Sequence, residues 1–183
     1  MSSTSPVLAF AIRGTQALFA IVVFGLSTTL IRGHHYGSLP VTLGFVAFVG
    51  GLSFVAALLG IATHWMQALQ GPAGVLMDGV IAGINIAGGI LMAIKLNGVQ
   101  CKSENWDDDW HKAINAHKMF ISDIICGGAG KEKGVYICWW YDKGNALVSR
   151  CRMAQADSVF MFFTAIVVAV PAVLGFLRMK RGY

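Results

Sequence analysis

Hydrophobic residues in this chain are gathered into long blocks, with polar and charged positions pushed into the intervals. Four blocks reach the length needed to cross a hydrocarbon core, about 20 residues. They run from about 8 to 31, 41 to 63, 73 to 94 and 156 to 177. The pattern predicts an all-α membrane protein, a four-transmembrane-helix bundle forming a single domain over residues 1–183. Pro171 lies inside the fourth block and is expected to kink it.

The connections are unequal. Gly33, Gly37 and Pro40 break the chain between the first two blocks, and another short turn, His64 to Pro72, joins the second to the third. A large loop, about 95–155, separates the third from the fourth and is the only extramembrane domain. Within it, Trp106, Trp110, Ile114 and Ile121 recur at helical spacing, behind an acidic run at Asp107, Asp108 and Asp109 that suits a helix start. Gly127, Gly128 and Gly130 then interrupt, and the β-branched and aromatic stretch from Val135 to Tyr141 predicts a strand, followed by a turn over Asp142 to Asn145. Four of the five tryptophans fall in this loop, where they are read as packing a small cap rather than resting on lipid headgroups.

Composition sharpens this picture. The chain is 56% hydrophobic and only 13% charged, against about 25% charged in a soluble domain. The net charge of +5 does not point to nucleic acid, because the basic residues are scattered through one loop and the C-terminal tail with acidic residues between them. The first block lacks the basic start and the cleavage site of a secretory signal, so it reads as a retained helix. No lipidation motif stands out at either end, and no Asn-x-Ser/Thr sequon occurs.

All four cysteines, Cys101, Cys126, Cys138 and Cys151, lie in the large loop. An even number confined to one side of the membrane points to disulfides in an oxidising compartment, with three pairings open. An even helix count puts both termini on one face. The positive-inside rule gives little guidance, since Arg150 and Arg152 in the loop offset Arg13, Arg178, Lys180 and Arg181 near the termini. The cysteines decide the orientation: loop outside, termini cytoplasmic.

Ionisable groups within the membrane are the first functional candidates. Asp78 and Asn85 stand seven residues apart on one face of the third helix, so that face should turn into the bundle. Arg13 and Gln16 open the first helix at the depth of Asp78, and a charge at that depth requires a partner or a route to the interface. An Arg13–Asp78 pair meets that requirement for both residues. Asp78 is read as the only acidic residue well inside a helix. Gly79 and Gly83 form a GxxxG pair and are expected to pack the third helix closely.

The sequence carries no signature of enzymatic chemistry. There is no P-loop, GxSxG, HExxH or CxxC, and the five histidines all fall at helix ends or in loops, away from where a haem would need them. Asp107 to Asp109 with His111 and His117 offer metal-ligating groups, but they read better as an acidic helix start. No catalytic residue, cofactor or metal is expected.

Three stretches carry a resemblance: RGTQALFAIVVFGL from Arg13 to Leu26, LMDGVIAGIN from Leu76 to Asn85, and RCRMAQADSVFMFF from Arg150 to Phe163. Together with the helix spacing they resemble fungal MARVEL-domain proteins of the non-classical export and eisosome-associated group. The resemblance implies a non-catalytic, multi-pass organiser of the plasma membrane with cytoplasmic termini, associated with sterol- and sphingolipid-rich domains, membrane apposition and vesicle traffic. The implied partners are membrane lipids and other membrane proteins or further copies of the chain. The positions it carries over are Arg13, Gln16, Asp78, Cys101, Cys151 and Arg152. Cys101 and Cys151 flank the loop at its two helix ends, which favours them as one disulfide and leaves Cys126 with Cys138. A tetraspanin-like scaffold shares the short–short–long loop pattern but would need a CCG signature, where this chain has ICGGAG from Ile125 to Gly130. A claudin is excluded, because its large loop follows the first helix. A small transporter or channel using Asp78 and Asn85 is the alternative from a different functional class.

Overall fold

A computed structural model of the protein describes residues 6–35, 37–62, 72–101, 121–132, 135–140 and 144–181. Four long helices dominate: α1 (Pro6–Arg32), α2 (Val41–Ala62), α3 (Pro72–Lys95) and α5 (Gly144–Arg181). A single helical turn, α4 (Asp123–Cys126), and a hairpin of β1 (Ala129–Glu132) with β2 (Val135–Cys138) lie between α3 and α5. All four long helices are long and apolar enough to cross a membrane. Proline opens α1 and α3, where its missing N–H costs nothing and its fixed φ suits a first turn.

The long helices pack in a ring, α1 on α2, α2 on α3, α3 on α5 and α5 on α1. Gly175 of α5 lies against Val75, and Gly60 of α2 against Arg13, so the start of α1, the end of α2, the start of α3 and the end of α5 share one end of the bundle. The hairpin and both disulfides sit at the other end, here termed the cap end. The main core runs from Val23 and Leu30 through Val46, Met92 and Met161 up to Ile125, Leu147 and Cys151, so bundle and cap share one packed interior.

Two boundaries differ from the sequence reading. The fourth helix begins at Gly144 rather than near 156, so the last part of the expected loop is helix. Arg150, Arg152 and Gln155 lower the hydropathy there, but Leu147, Val148, Cys151 and Ala154 keep a buried helical stripe. Asn145, expected in a turn, belongs to that helix, which also continues through Pro171. The predicted strand from Val135 stops at Cys138, where a turn at Trp139 and Trp140 ends it. Its antiparallel partner, with Ala129 opposite Cys138 and Glu132 opposite Val135, has a sequence with no β signal. The helix expected from Asn105 to Ile121 falls outside the described residues save for Ile121, and the acidic and histidine positions 107–109, 111 and 117 lie wholly outside them.

Candidate functional site

Hydrocarbon solvates an isolated polar side chain poorly, so buried polar groups of a spanning helix must find partners inside the bundle. Among the described residues, nine polar or charged side chains are buried, including Gln16, Ser27, Ser53, Asp78, Asn85, Asp157 and Ser158. Asp78, Asn85, Ser53, Ser27, Asp157 and Ser158 enter four ties at successive depths, each joining a different pair of long helices.

The deepest tie from the cap joins α1 to α3. Arg13 Nη1 donates to Asp78 Oδ1 at 2.7 Å and Nη2 donates to Oδ2 at 2.6 Å, a two-bond fork. Arg13 Nη1 also donates to Gln16 Oε1 at 2.8 Å. The guanidinium reaches α3 past Gly60 of α2, where a Cβ would come within 2.6 Å of Arg13 Nε. Farther toward the cap, Asn85 Nδ2 of α3 donates to Ser53 Oγ of α2 at 2.7 Å, and to the carbonyl of Ile81 at 2.8 Å. Asp78 and Asn85 do share a buried face, but they turn to different helices and do not bond to each other.

Two ties hold α5. Ser27 Oγ of α1 donates to Asp157 Oδ2 at 2.8 Å, and Ser158 Oγ donates to the Gly89 carbonyl of α3 at 3.0 Å. Asp157 is fully buried and its Oδ1 has no protein partner. Asp78 is therefore not the only acidic residue inside a helix, and Asp157 is the one the sequence reading misses. Its signal is present: Asp157 stands just inside the fourth apolar block, and an acid there demands a donor.

Glycines set the remaining approaches. A Cβ at Gly50 of α2 would lie 2.9 Å from the backbone nitrogen of Phe24, which marks a close approach of α2 to the backbone of α1. Gly88 and Gly89 admit Met161 and Phe162 of α5. Gly79 and Gly83, the expected packing pair, do neither. A Cβ added at either would meet nothing within 4 Å, so among the described residues the GxxxG stripe packs no helix. The small face of α3 that meets its neighbours is one stripe away, because Asp78 and Asn85 fix which side of α3 turns inward.

The cap closes the opposite end. Disulfides join Cys101 to Cys151 and Cys126 to Cys138, with Cα separations of 5.6 and 5.2 Å, inside the range a disulfide spans. The first ties the chain beyond α3 to α5; the second ties α4 to β2. Arg150 is the node between cap and bundle. Its Nε donates to the Ile125 carbonyl at 2.8 Å, and Nη2 donates to the carbonyls of Leu30 and Ile124 at 3.0 and 3.1 Å. Its guanidinium also lies over the Trp140 ring, 5.6 Å from the centroid. Arg150, counted in the sequence as a loop charge, is therefore buried against the backbone ends of α1 and α4. The turn after α1 is fixed in the same place, since Trp140 Nε1 donates to the Gly33 carbonyl and the His35 N–H donates to the Gly127 carbonyl. Gly127 needs to be glycine twice over: its φ is +71°, and Trp140 Nε1 stands 2.6 Å from where a Cβ would be. Trp140 thus packs the cap, while Trp139 is 55% exposed beside the His35 ring.

Among the described residues no three histidine, cysteine, aspartate or glutamate side chains gather into a metal-binding group. Arg152, in contrast to Arg150, is exposed, on the rim of a groove between α1 and α5.

A family model described as a membrane-associating domain, MARVEL, matches residues 6–174, which span all four long helices. Neither a curated protein nor a solved structure matches the chain.

Proposed function

We propose a function from one premise: the chain belongs to the MARVEL family of membrane-associating domains. It is an integral, multi-pass membrane protein with four spans, of a family linked to membrane apposition and traffic whose members are generally non-catalytic. Within that frame it acts as a lateral organiser of the plasma membrane, with both termini in the cytoplasm and the disulfide-tied cap outside. Its affinity is for ordered, sterol- and sphingolipid-rich regions, and its partners are those lipids, other membrane proteins and further copies of itself. Its resemblance within the family is to the fungal non-classical export and eisosome-associated proteins.

One observation carries this reading. Asp78, Asn85, Ser53, Ser27, Asp157 and Ser158 are turned inward and bonded across helices, while large apolar side chains face outward on every span, among them Leu18, Phe48, Leu76, Val80, Ile166 and Phe176. Such a molecule meets the membrane through side-chain shape and presents no reactive group to it. The test is partition. Full-length protein reconstituted into giant vesicles that separate into ordered and disordered phases should enrich in the ordered phase or at its boundary. Confinement to the disordered phase overturns the reading. A protease-protection assay with tags after Tyr183 and near Gly128 tests the orientation, and cleavage of the C-terminal tag from outside reverses it.

The transporter reading keeps one observation in its favour, the unpartnered buried atoms Asp157 Oδ1, Asn85 Oδ1 and Gln16 Nε2. Proton or ion flux through liposomes that falls with Asp157→Asn would establish it in place of the organiser.

A further inference from the structure

The groove between α1 and α5 encloses about 460 Å³. Asn145, Ser149 and Arg152 form its polar rim, and Leu26, Met153 and Ala156 its apolar wall. Asn145, Ser149, Arg152 and Ala156 repeat at intervals of four, three and four, so they lie on one face of α5. Arg152 is exposed and, among the described residues, makes no ion pair.

The depth of this groove follows from its neighbours. Next to its wall, Ser27 bonds Asp157; beyond its rim, Arg150 bonds the Leu30 carbonyl. Arg152 of α5 therefore lies level with the last two turns of α1, and Leu26 is about 9 Å along the axis from the end of that helix at Arg32. The apolar run of α1 ends at the same level. An arginine there directs its stem along apolar surface and its guanidinium into the headgroup layer. Below it the seam between the two helices continues into apolar surface, with Phe19 of α1 against Phe160 and Phe163 of α5 at centroid distances of 5.7 and 6.0 Å.

We propose that this groove is a binding site for one membrane lipid that carries a phosphate in its headgroup, in the leaflet on the cap side. The phosphate pairs with Arg152 and takes hydrogen bonds from Asn145 and Ser149, and an acyl chain lies on Leu26, Met153 and Ala156 toward the Phe19–Phe163 seam. Charge selects the occupant. A guanidinium fork matches a phosphate with two parallel bonds, whereas a sterol hydroxyl or a diacylglycerol leaves that charge unanswered. Depth selects a lipid over a soluble anion, because the apolar wall adds to binding only when a hydrocarbon chain covers it. The proposal rests on the lipid-embedded organiser reading and names the lipid class that such an organiser would hold.

The test uses full-length protein purified in a neutral detergent, with lipid retention read by native mass spectrometry and thermal shift. The ligands are phosphatidylglycerol, phosphatidylcholine, a diacylglycerol with the same chains, cholesterol and soluble glycerophosphate. Both phosphatidyl lipids should bind, and the other three at least about tenfold more weakly. Arg152→Gln should weaken phosphatidyl-lipid binding about tenfold and leave the lipid-free melting temperature unchanged, since the side chain is exposed and unbonded. Leu26→Trp, which fills the wall, should weaken binding with Arg152 intact, and Arg32→Gln should leave it as in wild type. Equal binding by Arg152→Gln, or equal binding of diacylglycerol or cholesterol, overturns the proposal. Tight binding of glycerophosphate alone replaces the lipid with a soluble anion and also overturns it. If wild-type protein partitions into ordered membrane while Arg152→Gln binds lipid normally, only the groove proposal fails. If Arg152-dependent binding is found without partition, only the organiser reading fails.

Discussion

Arg13→Gln should destabilise the protein more than Asp78→Asn, and the difference follows from who is left behind. Removing Arg13 strips both oxygens of Asp78, a residue only 7% exposed, of their donors. Removing the charge of Asp78 leaves Arg13 with Gln16 Oε1, and the Arg13 side chain keeps 16% of its surface accessible. In soluble proteins, breaking a buried pair from one side costs about 3–5 kcal/mol. Between membrane helices, double-mutant cycles average about 0.6 and reach about 1.7 kcal/mol, because the unfolded chain in the bilayer also finds partners. A two-bond fork belongs near the top of the membrane range, so the Arg13–Asp78 coupling should be about 1–2 kcal/mol. The loss in Arg13→Gln should exceed that in Asp78→Asn by about 1 kcal/mol, the worth of the bond to Gln16. The assay is a cycle of Arg13→Gln, Asp78→Asn and the double variant, read as reversible unfolding in mixed micelles. Coupling within about 0.3 kcal/mol of zero, the usual additivity error for independent sites, would refute the pair as a source of stability. The reverse order of the single variants would refute the role given to Gln16.

Four further outcomes follow from the same geometry. Gly50→Ala should cost about 1–3 kcal/mol, since its Cβ would press on the Phe24 backbone, whereas Gly79→Ala and Gly83→Ala should stay within about 0.5 kcal/mol by thermal unfolding; a large loss at Gly79 would show that the face is packed after all. Arg150→Lys should lower stability by about 1–3 kcal/mol despite keeping the charge, because an ammonium cannot span the carbonyls of Ile125, Leu30 and Ile124 together; unchanged melting refutes it. Ser27→Ala should cost about 1–3 kcal/mol by leaving Asp157 without its donor, and adding Asp157→Leu should restore part of the loss. Peptide mapping without reductant should recover Cys101 with Cys151 and Cys126 with Cys138, and four free thiols would refute both links.

Sequence pattern carries the spans and the cysteine pairing well, for a simple physical reason. Hydrocarbon thickness sets a length, and two cysteines placed where two packed helices emerge are already near one another. The same pattern fails where polarity and structure part company. Residues 144–155 read as loop because Arg150, Arg152 and Gln155 interrupt the apolar run, yet helix geometry needs only a buried stripe, which Leu147, Cys151 and Ala154 provide. The partner strand at Ala129–Glu132 is illegible because its backbone pairs with β2 while its side-chain types carry no alternation. The motif GxxxG at Gly79 and Gly83 misleads because spacing alone does not say which face of a helix turns inward. That is decided by the residues with the most to lose in lipid, Asp78 and Asn85, and they rotate the glycine pair outward.

The placement of the ties explains why they are polar at all. Lipid tails are as apolar as leucine, so no hydrophobic force selects one helix register over another inside the membrane. Each neighbouring pair of spans here has a specific device at one depth: Gly50 on Phe24 for α1 and α2, Asn85 on Ser53 for α2 and α3, Ser158 on the Gly89 carbonyl for α3 and α5, and Ser27 on Asp157 for α5 and α1. The Arg13–Asp78 fork adds the diagonal from α1 to α3, and Arg150 locks the cap onto the end of α1. A slide of one helical turn, about 5.4 Å, breaks the named polar tie between α2 and α3, between α3 and α5 or between α5 and α1, and drives Phe24 off Gly50 between α1 and α2. Register is thereby fixed from within. The outward residues are then free of any part in holding the bundle together, and can vary to suit the lipid or neighbour they meet. Substitutions at outward sites such as Phe48 or Ile166 should therefore change lateral association while leaving the bundle folded, and substitutions at the ties should do the opposite.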